Sequence, residues 1–190
     1  MIRRNNFLLV FATLFTLTSQ AARAALIEGV TFAESVNVGK EQLTLNGTGL
    51  RTATIFKVKV YAAGLYLKAK TTEDETALQS TTPKQLQMEF LRNVEASSIR
   101  EAFDKGFKDN CESDCESLPP LIEKLKTLIS DVKTGDRLTY TFNGDSVEIA
   151  LNGVKKGEVS GKGFSKALLS TWLGKTPPTG KLKDGLLGKS

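Results

Sequence analysis

Two Asn-Gly dipeptides close together, Asn143-Gly144 and Asn152-Gly153, constrain this chain more than any other feature. Each dipeptide tolerates the positive φ of a tight hairpin turn. Each is flanked by period-two alternation, with Leu138, Tyr140 and Phe142 before the first and Val147, Ile149 and Leu151 between them. Such alternation marks strands with one buried face. Connections this short join only antiparallel neighbours, so the segment after Gly135 is expected to be an antiparallel meander.

The rest of the chain supplies partners for that sheet. Leu43-Thr44-Leu45 runs into Asn46-Gly47 and is expected to form a further strand pair turning there. From Phe56 the chain alternates Phe56, Val58 and Val60 against Lys57, Lys59 and Tyr61, then becomes wholly apolar from Ala62 to Leu67. That describes a half-exposed strand entering a core, with Lys57 and Lys59 on a solvated face. Gln85 to Leu91 alternates likewise, with Leu86, Met88 and Phe90 on one face. The period then changes. Ile99, Ala102, Phe103, Gly106 and Phe107 recur at helical spacing, and Ser98 followed by Glu101 reads as a capping box. Pro119-Pro120 suits the first turn of a second helix carrying Leu121, Ile122, Leu125, Leu128 and Ile129 inward. A last helix from about Phe164 to Leu173 stops at Gly174, and Pro177-Pro178 and a Gly/Lys-rich end follow. Strands, two helices, strands and one helix describe an α+β domain with helices on one face of an antiparallel sheet.

The first 24 residues form a different unit. Arg3 and Arg4 precede an apolar run from Phe7 to Leu17, and small residues end at Ala22-Arg23-Ala24. This is the grammar of a secretory signal cleaved after Ala24. The run is too short for a hydrocarbon core that needs about 20 residues, so no permanent membrane anchor is expected. No cysteine follows the cleavage site, which argues against a lipoprotein, and the surroundings of Arg3-Arg4 fit a twin-arginine signal poorly. A single domain over residues 25–190, exported to the periplasm, is the expectation.

Removing that segment takes Arg3, Arg4 and Arg23 from a formal charge of +5, leaving 23 basic against 21 acidic residues, a balance of +2. Nucleic-acid binding, which needs clustered Lys/Arg, is not expected. The chain has no histidine. A His-based metal site, a Ser-His-Asp triad and a Cys-His dyad are therefore excluded, and no cofactor or metal is implied. Export favours a disulfide between Cys111 and Cys115 over a metal or redox role, because the pair is one residue wider than Cys-x-x-Cys. The loop it closes is small, so its contribution through the unfolded state is small.

Four segments in order, Gly47-Thr48-Gly49-Leu50-Arg51, Val58 to Leu67, Gly135-Asp136 before the Tyr140 strand, and Phe164 to Gly174, resemble the chalcone isomerase-like family, and more closely its exported bacterial branch. The resemblance runs from about Ile27 to Gly188. It implies an open-faced β-sandwich, a large antiparallel sheet covered by helices, with a ligand cleft between them. Its plant enzymes close a 2′-hydroxychalcone to a flavanone, a reaction that asks for orientation and charge stabilisation more than for a protein nucleophile. In those enzymes an arginine holds the substrate oxyanion, a threonine and a tyrosine order a water, a lysine and an asparagine lie on the next helix, and a Thr or Ser lies on the last helix.

By position, Arg51 matches the arginine and Thr171 the last-helix hydroxyl. The strand threonine falls at Tyr61, and the helix positions fall on Ser98, Glu101 and Lys105, which puts a carboxylate in the cleft. A second branch, the plastid fatty-acid-binding members, pairs an arginine with a tyrosine on the next strand to hold a carboxylate, and Arg51 with Tyr61 fits that pair. The two can share one anion only if the chain reverses between them, within Thr52 to Ile55, because ten extended residues span roughly 33 Å.

Plain structural roles compete at every position. Arg51 can be a solvated hairpin-end residue, Tyr61 an amphipathic strand residue, and Trp172 core, with ligand stacking as its alternative. The Thr171 hydroxyl can simply bond the Ala167 carbonyl. The leading expectation is a non-catalytic periplasmic binder of a small amphipathic carboxylate such as a fatty acid, with Arg51, Tyr61, Thr171 and Trp172 at its ligand. The alternative is an isomerase or intramolecular lyase acting on a phenolic enone, with an interaction domain third.

Overall fold

The computed structural model of the protein describes residues 24–54, 56–112 and 115–189. The expected leader, apart from Ala24, lies outside the described residues. Among the described residues, nine strands and five α-helices follow in chain order: β1 (Ala25–Ile27), β2 (Val30–Phe32), β3 (Ser35–Val38), β4 (Glu41–Ala53), β5 (Val58–Leu67), α1 (Asp74–Gln79), β6 (Lys84–Phe90), α2 (Ala96–Asn110), α3 (Pro119–Thr127), β7 (Arg137–Asn143), β8 (Ser146–Leu151), β9 (Val154–Ser160), α4 (Phe164–Leu173) and α5 (Gly180–Leu186).

Strands β3 to β9 form one antiparallel sheet in sequential order. The expected meander is its far edge, where Asn152 and Gly153 both hold positive φ (52° and 77°), as a type I′ hairpin requires. The helices cover one face. Strand β5 is buried on both sides: Tyr61, Ala63, Leu65 and Leu67 join the core under the helices, whereas Ala62 and Tyr66 face the β1–β2 hairpin with Phe32. This two-sided burial explains why the run from Ala62 to Leu67 is apolar without alternation.

Four expectations need correction. Asn46-Gly47 is not a turn. Strand β4 runs straight through it with a bulge between Leu45 and Gly47, and the buried Asn46 amide donates to Thr71 O (3.1 Å) and Leu186 O (2.8 Å) while its oxygen accepts from Thr71 N (2.8 Å). The actual reversal lies between Ala53 and Val58, and Phe56 and Lys57 belong to it rather than to a strand. Ser98 caps nothing, because α2 begins at Ala96, whose N–H donates to the Asp131 carboxylate across the fold (2.8 Å). The Gly/Lys-rich end is helical. Thr179 Oγ1 accepts from Leu182 N (3.2 Å) to cap α5, and this helix packs on the glycines of β4.

Helices α2 and α4 cross closely because Gly106 has no side chain. A Cβ there would lie 2.9 Å from Thr171 Cβ. At the end of α2, Asn110 holds the chain beyond α4 through Thr176 O (3.0 Å) and Thr176 N (2.8 Å). The expected Cys111–Cys115 disulfide is formed immediately after it. The order of layers thus leaves a gap between the β4–β5–β6 end of the sheet and the crossing of α2 with α4.

Candidate functional site

That gap is a cavity of about 560 Å³, within the 300–1,000 Å³ range of small-molecule sites. Val60, Met88 and Phe90 line it from the sheet, Ile99 and Phe103 from α2, and Pro177 and Pro178 from the segment after α4. Its wall is therefore mainly apolar. A bulge between Arg51 and Thr52 leaves Val60 as the extra residue of β5, so Val60 and Tyr61 border the cavity together.

All four residues singled out from the sequence, Arg51, Tyr61, Thr171 and Trp172, border this one cavity. Arg51 and Tyr61 stand directly opposite each other across β4 and β5, so their side chains share a face. The reversal their cooperation needed is the Ala53–Val58 hairpin. Tyr61 is buried, and its hydroxyl oxygen accepts from Trp172 Nε1 at 3.1 Å. Burial pushes the phenol up to about 12, against smaller opposing effects from the Trp172 bond and the Arg51 charge. The group therefore remains an O–H donor at ordinary pH. With one acceptor direction filled by the indole, its proton is free for another acceptor.

The other polar groups divide. Thr171 Oγ1 donates to Leu168 O at 2.8 Å, one residue from the expected carbonyl, and Ser170 takes Ala167 O instead (2.7 Å). The Thr171 hydroxyl proton is thus occupied within the helix, while its oxygen can still accept. Arg51 Nη1 donates to Thr52 O. Ser98 and Lys105 border the cavity, and Lys105 is tied to Asp109 at 2.5 Å. Glu101 is exposed and is not part of the wall, so the carboxylate expected in the cleft is absent from that position; Glu95 and Asp109 reach the rim instead. The helical period places Glu101 beside Ile99 and Phe103 in sequence but on the opposite face of α2.

Sequence reasoning missed Arg92, at the rim just past β6, and gave Tyr140, which does not line the cavity, no role beyond its strand. Arg92 carries only the weak signal of a charge ending an alternating strand. Tyr140 lies 5.4 Å, ring to ring, from Trp172, and its buried hydroxyl has no hydrogen-bond partner among the described residues. Burial first, and the nearby Tyr61 second, push its phenol well above 10.

A seven-stranded antiparallel sheet with helices on one face and a cleft between them is the chalcone isomerase-like architecture. The family model described as chalcone isomerase-like matches residues 24–188, and the chain belongs to that family. Among solved structures, the chain is similar to a fatty-acid binding protein of Arabidopsis thaliana, with a TM-score of 0.70 and 14% identity over 88% of this chain and 97% of that one. At that identity the likeness is one of fold. No curated protein matches the chain.

Proposed function

We propose that the protein is a non-catalytic binder of a small amphipathic carboxylate, fatty-acid-like in shape, and that it works in the periplasm after removal of residues 1–24. One observation carries the reading: the Tyr61 O–H, its acceptor side filled by Trp172, stands opposite the Arg51 guanidinium on a mainly apolar cavity. A guanidinium and a neutral phenol both donate to a carboxylate, and charge-assisted bonds of this kind strengthen away from water. The acyl tail lies against the Met88, Phe90 and Phe103 side of the wall, where each methylene removed from water contributes about 0.8 kcal/mol before ordering costs. The fatty-acid binding protein of the same fold supports the ligand class, and the Cys111–Cys115 bridge supports an oxidising compartment.

Titrating dodecanoic acid and dodecanol into the processed protein tests the reading. Saturable binding of the acid at least tenfold tighter than the alcohol is expected; equal affinities, or no saturation, would remove the carboxylate site. N-terminal sequencing of the exported form should begin at Ala25. A second reading, an intramolecular lyase on a phenolic enone, is favoured by Arg51 and Thr171 bordering the same cavity. Stereospecific flavanone from 2′-hydroxychalcone, lost in Arg51→Ala, would replace binding with catalysis.

A further inference from the structure

The β4–β5 hairpin ends in a turn closed by Lys57 N donating to Thr54 O at 3.1 Å. Phe56 in this turn is 81% exposed, the most exposed large apolar side chain among the described residues. The turn also holds Thr54 and Lys57 at φ values of 64° and 51°, a region costly for residues with a Cβ. This tip follows directly on residues of the cavity rim, although Thr54, Phe56 and Lys57 do not themselves line the cavity. Arg51 and Ala53, just before the turn, border the cavity. On the neighbouring strand Leu91 N donates to Val60 O at 2.9 Å, which carries the chain into Arg92 at the same rim.

The charges here do not cancel. Lys59 pairs with Glu28 and Lys105 with Asp109, each at 2.5 Å. Arg51, Lys57 and Arg92 have no carboxylate partner among the described residues, and the rim offers Glu95 against them. One exposed ring is far too small for a stable protein interface. An aromatic side chain beside several cations does, however, suit the headgroup boundary of an anionic bilayer, where the ring sinks in and the cations meet lipid phosphates.

We propose that the Phe56 tip with Lys57 and Arg92 docks the cavity mouth onto an anionic lipid bilayer, from which the ligand enters along the hairpin. The docking stands on its own observations; only the identity of the cargo rests on the carboxylate reading above.

Co-sedimentation of the processed protein with phosphatidylcholine vesicles, with and without phosphatidylglycerol, tests it, alongside dodecanoate titration in vesicle-free buffer. Wild type should partition at least tenfold more onto the phosphatidylglycerol vesicles and lose that preference at about 1 M salt, where the screening length falls to about 3 Å. Phe56→Ser should lower partition about tenfold and Lys57→Glu by a further fivefold or more. Both variants should keep dodecanoate affinity within twofold, which also shows that they fold. Wild-type partition that ignores phosphatidylglycerol, or that Phe56→Ser and Lys57→Glu leave unchanged, overturns the docking. Vesicle binding through Phe56 without any dodecanoate binding would leave the docking standing and defeat the carboxylate reading instead.

Discussion

The first half of β4 is closed by backbone and its second half opens on a cavity, although both belong to one 13-residue strand. Around Asn46, Gly47 and Gly49 the helix α5 comes so near that a Cβ on Gly47 would lie 2.1 Å from Gly185 O and 2.7 Å from Gly188 N. Four and six residues beyond Gly47, Arg51 and Ala53 border about 560 Å³ of space. Each half has a bulge, one between Leu45 and Gly47 and one between Arg51 and Thr52. The first bulge brings a buried amide to three backbone groups, and the second turns two successive β5 residues toward the cavity. The same backbone device thus serves fit in one place and access in the other. Substitutions in the closed half should act on stability, and those in the open half on ligand.

The sharpest way to break this contrast is Gly47→Ala. Every atom the new methyl meets is backbone, so α5 must move and expose Leu182 and Leu186, which are fully buried. Overpacking of this kind should cost about 3 kcal/mol and lower the calorimetric midpoint by roughly 6–12 °C. A loss below about 1 kcal/mol would mean that the closed half is no tighter than the open one. Next in size is Arg51→Ala, the matching change in the open half. It should weaken dodecanoate binding about ten- to a hundredfold, leave dodecanol unaffected, and change stability by no more than about 0.5 kcal/mol.

Reduction of the Cys111–Cys115 bridge should cost at most about 2 kcal/mol in urea unfolding, given the short loop it closes; a larger loss would show that α2 depends on it. Tyr61→Phe mixes the two halves' behaviour. It removes one neutral donor from the ligand, worth about 1 kcal/mol or fivefold in affinity. It also leaves the buried Trp172 Nε1 without its acceptor, so stability should fall by a similar amount in the same urea series.

The smallest expected effect is that of pH. With the Tyr61 phenol at about 12, dodecanoate binding should stay flat between about pH 7 and pH 9 and decline only as the phenol ionises, since a phenolate repels the carboxylate. The sign for folding agrees: a folded-state value raised above 10 contributes stability that is full below pH 10 and is lost as the pH rises through about 12. Affinity that fell by an order of magnitude between pH 7 and pH 9 would mean that Tyr61 does not donate to the ligand.

Much of the framework was legible in the chain. The β7–β8–β9 meander, the Pro119 start of α3 and the Phe164–Leu173 limits of α4 follow from alternation, turn residues and capping within a few positions. The short strands β1 to β3 and the helices α1 and α5 carried no such signal, because elements of three to seven residues are held by what they pack against. Of the site, the pairing of Arg51 with Tyr61 was readable only as a condition on the chain between them. The bond from Trp172 to the Tyr61 hydroxyl, spanning 111 residues of sequence, was not readable at all.

By itself the sequence determined what depends on neighbours along the chain: an antiparallel α+β fold, its tightest turns, and the exclusion of histidine chemistry. Tertiary structure decided what depends on distant backbone. Asn46-Gly47 has the residues of a hairpin turn and does not turn, because α5 returns from 140 residues away to bond the Asn46 amide and needs the missing Cβ of Gly47. Thr54 and Lys57, which have none of a turn's usual residues, make the reversal instead. A local preference worth about 1 kcal/mol yields to a buried contact worth several, and that contact, not the dipeptide, sets where β4 ends and hence where Arg51 meets the cavity.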